Sequence, residues 1–279
     1  MKRARGDGVE IQLAQWDGDG KTVFCVHGLT ANCRCWDNLA AVIAPRHRVI
    51  AMDLRGRGLS DKPAHGYSEE QHVKDILCVF DDLGVEKAVL MGHSLGGYIS
   101  LTMAAEHPGR VDSLVLVDAG ADLSQAHWDK ITEAIKPSVG RLGQVYPSIE
   151  DFIGMQKAAP HLQPWSPVIE MYYRYDMEDV EGGISSRIKL EHIIEEISNK
   201  RQTGAAHFYP EVKCPVLILR ATDGILSSED LLIPDAAREQ MLKEIPRAES
   251  LDVTGTNHFG IIFQPHKRRD EVLLNFLAA

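Results

Sequence analysis

A serine flanked by glycines occurs at residues 92–96, which read Gly-His-Ser-Leu-Gly. The stretch fits the pattern G-x-S-x-G, in which a serine on a sharp turn between a strand and a helix acts as a nucleophile. An apolar run precedes it and a helix-like segment follows it, so the context suits such a turn. Side chains two residues to either side would collide there, which accounts for Gly92 and Gly96. The sequence predicts that Ser94 is a catalytic nucleophile rather than only the cap of a helix.

A serine hydroxyl needs a base to become an effective nucleophile, and position singles out one of the twelve histidines for this role. His258 lies in residues 252–263, after the last predicted strand and before the last predicted helix. It therefore falls on a loop at the carboxyl edge of the predicted sheet. Ser94 emerges at the same edge, where open α/β sheets carry their sites. We predict that His258 is the base.

The base in turn needs a carboxylate that orients it. Asp223 follows a buried strand at the same edge and precedes His258 in the chain, which matches the order serine, acid, histidine expected with this motif. Asp118 ends another apolar strand at that edge. Glu229 and Asp230 could reach the site only if their loop folded back. Asp223 is thus the preferred acid, and Asp118 is the alternative.

Two backbone amides are candidates to stabilise the negative charge that develops on a substrate oxygen. Leu95 follows the serine at the predicted start of a helix, where an amide is available to donate. Leu29 follows the turn at His27 and Gly28, and its amide could face Ser94. The Leu29 and Leu95 amides therefore form the predicted oxyanion hole.

Short apolar or β-branched runs alternate with longer amphipathic segments along most of the chain. Several runs are apolar throughout, as strands covered on both faces are. The alternation indicates βαβ units and a mainly parallel sheet, hence an α/β fold. The predicted strands are residues 9–15, 22–28, 47–53, 87–92, 113–120, 215–221 and 249–253.

The alternation of strands and helices stops after residue 121 and resumes near residue 212. Residues 122–208 contain helix-like stretches broken by prolines and glycines, with no convincing strand. We predict a core domain of residues 1–121 and 209–279 and a helical cap of residues 122–208. Side chains of the cap that could line a site are Phe152, Met155, Trp165, Met171, Tyr172, Tyr173 and Tyr175.

The chain resembles the α/β-hydrolase superfamily over nearly its whole length. The resemblance rests on HGLT at 27–30, DLRGRGLSDKP at 53–63, GHSLGG at 92–97, PVLILRATDG at 215–224 and NHF at 257–259. It implies an eight-stranded, mostly parallel sheet flanked by helices, with a helical cap inserted between strands six and seven. It implies no cofactor.

Departures from the family's patterns bear on the acid and on the reaction. The acid loop often reads glycine, two residues, aspartate, but here Ala221 leads to Asp223 one residue sooner, which keeps Asp118 a candidate. Carbon–carbon bond hydrolases of the family tend to carry tryptophan after the histidine, where this chain has Phe259. Haloalkane dehalogenases and epoxide hydrolases carry aspartate at the position of Ser94.

The composition is that of a globular protein, with 44% hydrophobic and 25% charged residues. The net charge of −10 argues against nucleic acid and anionic membrane surfaces as partners. The first residues lack the apolar stretch of a signal peptide, and no apolar run is long enough to span a membrane. Five cysteines indicate free thiols and a cytoplasmic location, and Cys33 with Cys35 makes a poor metal site.

We therefore expect a serine hydrolase that cleaves a carboxylic ester or lactone of a small to medium apolar acyl compound through an acyl-enzyme. The alternatives are a carbon–carbon bond hydrolase or a cofactor-free perhydrolase with the same triad. In a different class, a hydrolase-like receptor would only bind its ligand. The expected partner is a small molecule, with neither nucleic acid nor membrane, and the sequence predicts neither a metal nor an oligomeric state.

Overall fold

The computed structural model describes residues 1–199 and 204–279 of the chain. Its strands are β1 (Lys2–Arg5), β2 (Glu10–Trp16), β3 (Thr22–Val26), β4 (Arg48–Met52), β5 (Ala88–His93), β6 (Val111–Val117), β7 (Met177–Val180), β8 (Gly183–Ser186), β9 (Val216–Ala221) and β10 (Ala248–Val253). Its α-helices are α1 (Asp37–Ile43), α2 (Glu69–Leu83), α3 (Leu95–Glu106), α4 (Gln125–Gly140), α5 (Ile149–Lys157), α6 (Pro167–Asp176), α7 (Leu190–Ser198), α8 (Asp235–Glu244), α9 (Gly260–Phe263) and α10 (Lys267–Ala278).

Eight of these strands form one sheet in the order β1-β2-β4-β3-β5-β6-β9-β10. β2 is antiparallel to both of its neighbours, and the strands from β4 to β10 in this order are parallel. The expected eight-stranded, mostly parallel sheet is confirmed. All seven strands predicted from the apolar runs are present. β1 was not predicted, because its sequence KRAR buries one side chain and otherwise faces solvent at the edge of the sheet.

Successive residues of the central strands enter hydrophobic cores on opposite faces of the sheet, as the pleat of a strand requires. Leu90 and Leu116 pack on the face covered by α2 and α3. Met91 and Val115 pack on the face covered by α1 and α10. Because both faces are covered, these strands are apolar throughout, which is the property that revealed them in the sequence.

The segment between β6 and β9, here called the insertion, contains α4 to α7. The sequence predicted only helices in this region, and that prediction is wrong for residues 177–186, where β7 and β8 form an antiparallel hairpin. Gly182 and Gly183 turn the chain with φ values of 86° and 148°, which favour glycine. Each strand has four residues and the first is largely polar, so the hairpin leaves no apolar run to detect. No helix in the described part of the chain is long and apolar enough to cross a membrane.

A buried ion pair joins the insertion to the rest of the chain. Glu196 on α7 contacts the guanidinium of Arg57, which is fully buried in the loop after β4. The other carboxylate oxygen lies 2.7 Å from Nε2 of His72, on α2. Burial alone would raise the pKa of Glu196, but Arg57 and His72 outweigh it and lower this pKa to about 2. Glu196 therefore stays ionised and compensates the buried charge of Arg57.

Replacing Glu196 by alanine should leave the Arg57 guanidinium buried without its counter-ion. The expected loss in the free energy of unfolding is about 3–5 kcal/mol, measured by urea denaturation. Glu191→Ala, on the same helix but exposed, is the matched control and should cost under about 1 kcal/mol. Equal losses in the two variants would contradict a stabilising role for the pair.

The same pair should make stability sensitive to acid. The folded pKa of Glu196 lies below the ordinary value of about 4.3, so its contribution is complete above about pH 5 and is lost as the pH falls toward 2. Urea denaturation at a series of pH values should show a shallower decline over this range for Glu196→Ala than for the wild type.

Candidate active site

Ser94 lies on the sharp turn between β5 and α3, with φ 54° and ψ −125°. Residues other than glycine rarely adopt a positive φ, so this backbone conformation is strained. Neighbouring glycines make the turn possible. A Cβ at Gly92 would lie 2.2 Å from the carbonyl oxygen of Gly96, and a Cβ at Gly96 would lie 2.0 Å from that of Val26. The structure thus gives both glycines of the motif the steric role expected from the sequence.

His258 lies on the loop between β10 and α9 and is buried. Its Nδ1 lies 2.8 Å from Oδ2 of Asp118. The ring of His93 stacks on the His258 ring with 4.4 Å between centroids. Burial, and then the neighbouring His258, hold the pKa of His93 well below its usual range. The neutral His93 ring can therefore donate from Nε2 to the carbonyl oxygen of His258, 2.9 Å away, and it holds the loop in place.

The carboxylate beside His258 belongs to Asp118, which corrects the preference for Asp223. Asp118 is buried with φ 49°, and its Oδ1 accepts a hydrogen bond from the Ala221 amide at 3.1 Å. Asp223 is exposed, and its carboxylate accepts a hydrogen bond from the hydroxyl of its neighbour Thr222. The structure thus brings together Ser94, His258 and Asp118 and leaves Asp223 outside the group.

Sheet order explains this placement. β6 pairs directly with β5, and Val117 is the partner of His93 in their register. The residues that follow, Ser94 and Asp118, therefore emerge from adjacent strands, about 5 Å apart in the sheet. β9 is one strand further away, and Asp223 lies two residues beyond its end.

The loop that carries Leu29 passes close to the serine. A Cβ at Gly28 would lie 3.0 Å from Cβ of Ser94 and 3.5 Å from its Oγ, so a side chain here would crowd the serine. Leu29 lines the same cavity as Ser94. Leu95 is the first residue of α3, and its amide has no acceptor within the helix.

His27 fixes the peptide group that joins Gly28 to Leu29. Burial lowers the pKa of His27 to about 3, so the ring is neutral. Its Nδ1–H donates to the Gly28 carbonyl at 2.8 Å, and its Nε2 accepts from the amide of Leu54 at 3.0 Å. In a planar trans peptide the N–H points opposite to the C=O. The Leu29 amide is therefore directed away from His27 in a fixed orientation.

Side chains from outside the loop hold its next two carbonyl groups. Arg57 donates from Nε to the Leu29 carbonyl at 3.2 Å. The Thr30 carbonyl accepts from Nη2 of Arg141 at 2.8 Å and from the Tyr172 hydroxyl at 3.3 Å. Arg141 and Tyr172 belong to the insertion, so the insertion helps to set the conformation of this loop.

Asp53, the residue after β4, connects the same loop to the insertion. One of its carboxylate oxygens accepts from the Cys33 amide at 2.7 Å. The other accepts from the Leu59 amide at 2.9 Å and from the Tyr175 hydroxyl at 2.6 Å. Neither Asp53 nor Arg57 was identified from the sequence as a residue of the site, because their partners lie far away in the chain.

A cavity opens above Ser94 and His258, with about 60 Å³ accessible to the centre of a water molecule. This is room for a few waters. The residues that line it are Gly28, Leu29, Thr30, Ala31, Cys35, His93, Ser94, Ile135, Ser138, Arg141, Tyr172, Tyr173, His258, Phe259, Ile262 and Phe263.

Two of the seven side chains suggested as lining, Tyr172 and Tyr173, are in the wall of this cavity. The other five lie elsewhere. Phe152 packs between Tyr146 and Tyr173, Trp165 stacks on Tyr173, Tyr175 binds Asp53, and Met155 and Met171 are exposed. The sequence did not single out Arg141, the arginine of the wall.

The five cysteines are free, and burial raises the pKa of the Cys33 and Cys35 thiols well above the ordinary value. Both thiols therefore remain protonated and are poor nucleophiles and poor metal ligands. Across residues 1–199 and 204–279, no group of three or more His, Cys, Asp or Glu side chains is arranged to hold a metal ion.

The chain is similar to known α/β-hydrolases. The family model described as "alpha/beta hydrolase fold" matches residues 21–152. A 2-(acetamidomethylene)succinate hydrolase of Mesorhizobium japonicum is 28% identical over 244 residues, which cover 87% of this chain and 83% of that protein.

Solved structures share the fold along the whole chain. A crystal structure of E-2-(acetamidomethylene)succinate hydrolase matches with a TM-score of 0.84 and 23% identity, covering 100% of this chain and 98% of that one. The enol-lactonase from Burkholderia xenovorans matches with a TM-score of 0.75 and 20% identity, covering 100% of both chains. With the sheet order and the serine turn described above, these similarities show that the chain has the α/β-hydrolase fold.

Proposed function

We propose that the protein is a serine hydrolase that cleaves a carboxylic ester or lactone through an acyl-enzyme, with Ser94 as nucleophile, His258 as base and Asp118 as acid. The observation that carries this proposal is the strained serine on the same sheet edge as the 2.8 Å contact between His258 and Asp118. Ser94 and His258 both line one cavity, where a substrate carbonyl would meet them.

In the proposed reaction, Nε2 of His258 accepts the proton of the Ser94 hydroxyl as its oxygen attacks the carbonyl carbon. The amides of Leu29 and Leu95 donate to the oxyanion of the tetrahedral intermediate. His258 then gives its proton to the leaving alcohol, and the acyl-enzyme remains. Water, deprotonated by the same histidine, attacks the carbonyl of the acyl-enzyme. The bond from this carbonyl to Oγ of Ser94 then breaks as His258 returns the proton to Oγ, and the acid is released. Side chains, backbone amides and water suffice for every step.

Asp118 would hold His258 in the tautomer that this reaction needs. Its Oδ2 accepts from Nδ1–H of the ring, which leaves Nε2 free to take a proton. Its Oδ1 is held by the Ala221 amide, so the carboxylate has a fixed orientation. The negative charge would also stabilise the imidazolium that forms during the reaction.

The insertion would act as a cap over this site. Ile135, Ser138, Arg141, Tyr172 and Tyr173 belong to it and line the cavity together with residues of the sheet edge. The limited volume favours a small acyl group. A relative whose name gives an acetamidomethylene succinate as substrate and a structural neighbour named an enol-lactonase support a compact acyl substrate.

Ser94→Ala should reduce kcat/KM for 4-nitrophenyl acetate and 4-nitrophenyl butyrate by at least about 10³-fold, because the nucleophile is lost. A fluorophosphonate probe should label the wild type at Ser94, identified by peptide mass spectrometry. Turnover that survives the substitution, or labelling at another residue, would refute the assignment.

Asp118→Asn should lower kcat by about 10³–10⁴-fold, because an amide favours the wrong tautomer of His258. Asp223→Asn makes the same chemical change on an exposed side chain and should stay within about threefold of the wild type. Steady-state kinetics of the two variants on one ester measure the difference. If Asp223→Asn alone lost activity, Asp118 would not be the acid.

The backbone strain at Ser94 should be measurable as a gain in the free energy of unfolding when the residue is replaced by one that tolerates positive φ. Ser94→Gly should be more stable than Ser94→Ala by about 1 kcal/mol in urea denaturation, because glycine adopts positive φ without a steric penalty. Ser100, in the interior of α3, provides the control pair. There the glycine variant should be less stable than the alanine variant by about 1 kcal/mol. The same sign at both positions would show that the turn stores no strain.

A further inference from the structure

Arg141 is the one lysine or arginine among the residues that line the cavity in the described part of the chain. It follows the last residue of α4 and is 5% exposed. The other polar side chains of the wall, apart from the histidines and the nucleophile, carry hydroxyls or a thiol. A ligand without a hydrogen-bond acceptor would bind poorly beside a buried guanidinium in the wall of a small cavity. The free N–H donors of the guanidinium would lose their contact with water without gaining a partner.

The guanidinium is held rigidly by its other contacts. Its Nη1 donates to the Asp176 carboxylate and, at 3.0 Å, to the Ser186 hydroxyl. Its Nη2 donates to the Thr30 carbonyl at 2.8 Å, and its Cζ lies 5.9 Å from the ring centre of Tyr173. These contacts use three of the five N–H donors of an arginine. The remaining donors are Nε–H and one hydrogen on Nη2.

Asp176 balances this charge without occupying the cavity. It is fully buried and is not among the residues of the wall. Burial alone would lower the pKa of Arg141, but Asp176 outweighs it and raises this pKa, so the side chain is a permanent cation. Asp176 thus stabilises the positive charge from outside the cavity, while the guanidinium itself forms part of the cavity wall.

Arg141 also lies within the length of a small substrate from Ser94. The Thr30 carbonyl that it binds is two residues from Gly28, which packs against Ser94. Two residues span at most about 7 Å of chain. An acyl group of a few carbons could therefore have its carbonyl at Ser94 and its far end at Arg141.

We propose that the substrate of this site carries a carboxylate on its acyl part and that Arg141 binds it. The inference rests on the proposed ester or lactone hydrolysis and specifies its substrate class. A planar guanidinium matches the geometry of a carboxylate better than a lysine would. The chain has a net charge of −10 and repels anions at long range, so selection of an anionic substrate requires a cation inside the site.

The test compares two esters that differ at the end of the acyl chain, 4-nitrophenyl butyrate and mono-4-nitrophenyl succinate. The wild type should prefer the succinate ester by about 10- to 100-fold in kcat/KM. Arg141→Gln combined with Asp176→Asn removes both charges and should abolish or reverse the preference. The double variant keeps the net charge of −10. Arg174→Gln removes one exposed cation of the insertion and should leave the preference unchanged.

Asp176→Asn alone separates substrate binding from a structural role. It keeps Arg141 and removes its counter-ion, so the preference for the succinate ester should rise. If Arg141 only supported the fold, Asp176→Asn would lower turnover of both esters alike. Asp176→Asn also tests the inference if the double variant does not fold.

Succinate binding provides a readout without turnover. Succinate should raise the Tm of Ser94→Ala, and adding Arg141→Gln with Asp176→Asn should remove this effect, whereas adding Arg174→Gln should not.

If the wild type cleaved the butyrate ester through Ser94 but did not prefer the succinate ester, the inference would be wrong and the hydrolase proposal would stand. If neither ester were cleaved and Ser94 were not labelled, the hydrolase proposal would fail, and the Tm would still decide whether Arg141 binds carboxylates.

Discussion

The direct pairing of β5 with β6 is the constraint on which the rest of the site depends. Their register ends with His93 beside Val117, so the next residue of each strand emerges at the same edge. Both of those residues, Ser94 and Asp118, have positive φ, and they are the two non-glycine residues with this backbone among those described. Two strained backbone conformations at the ends of adjacent strands cost free energy, and the packed apolar faces of the sheet offset that cost.

The loop that approaches the serine depends on both parts of the chain. His27 and Asp53 hold it from the sheet side. Arg141 and Tyr172 hold it from the insertion, and Arg57 joins the two parts because it bonds the loop and contacts Glu196. An insertion that moved away would therefore release contacts to the loop as well as open the cavity. Access to the site and the geometry of its backbone donors are coupled through the same side chains.

The sequence predicted the strands and the serine turn because both leave local signals, an apolar run and a pair of glycines. It also led to His258, through the loop after the last strand. It did not identify the carboxylate that lies beside His258, because Asp118 and Asp223 both lie between Ser94 and His258 in the chain, so their order could not separate them. The decision depends on which strand lies next to β5, a long-range property of the sheet. The hairpin of β7 and β8 is local, but it is too short and polar to leave an apolar run. The place of Arg141 in the cavity wall depends on contacts with residues that are distant in the chain.

Because of the ion pair between Arg57 and Glu196, the insertion cannot be exchanged independently of the rest of the chain. Insertions of α/β folds are natural units to exchange when a new specificity is sought, since the sheet is built without them. Here the sheet-side loop carries a fully buried cation whose counter-ion comes from the insertion. A transplanted insertion would have to bring a carboxylate to the position of Glu196, or the recipient would have to give up Arg57 and with it the bond to Leu29. The two parts of the chain are therefore constrained to change together.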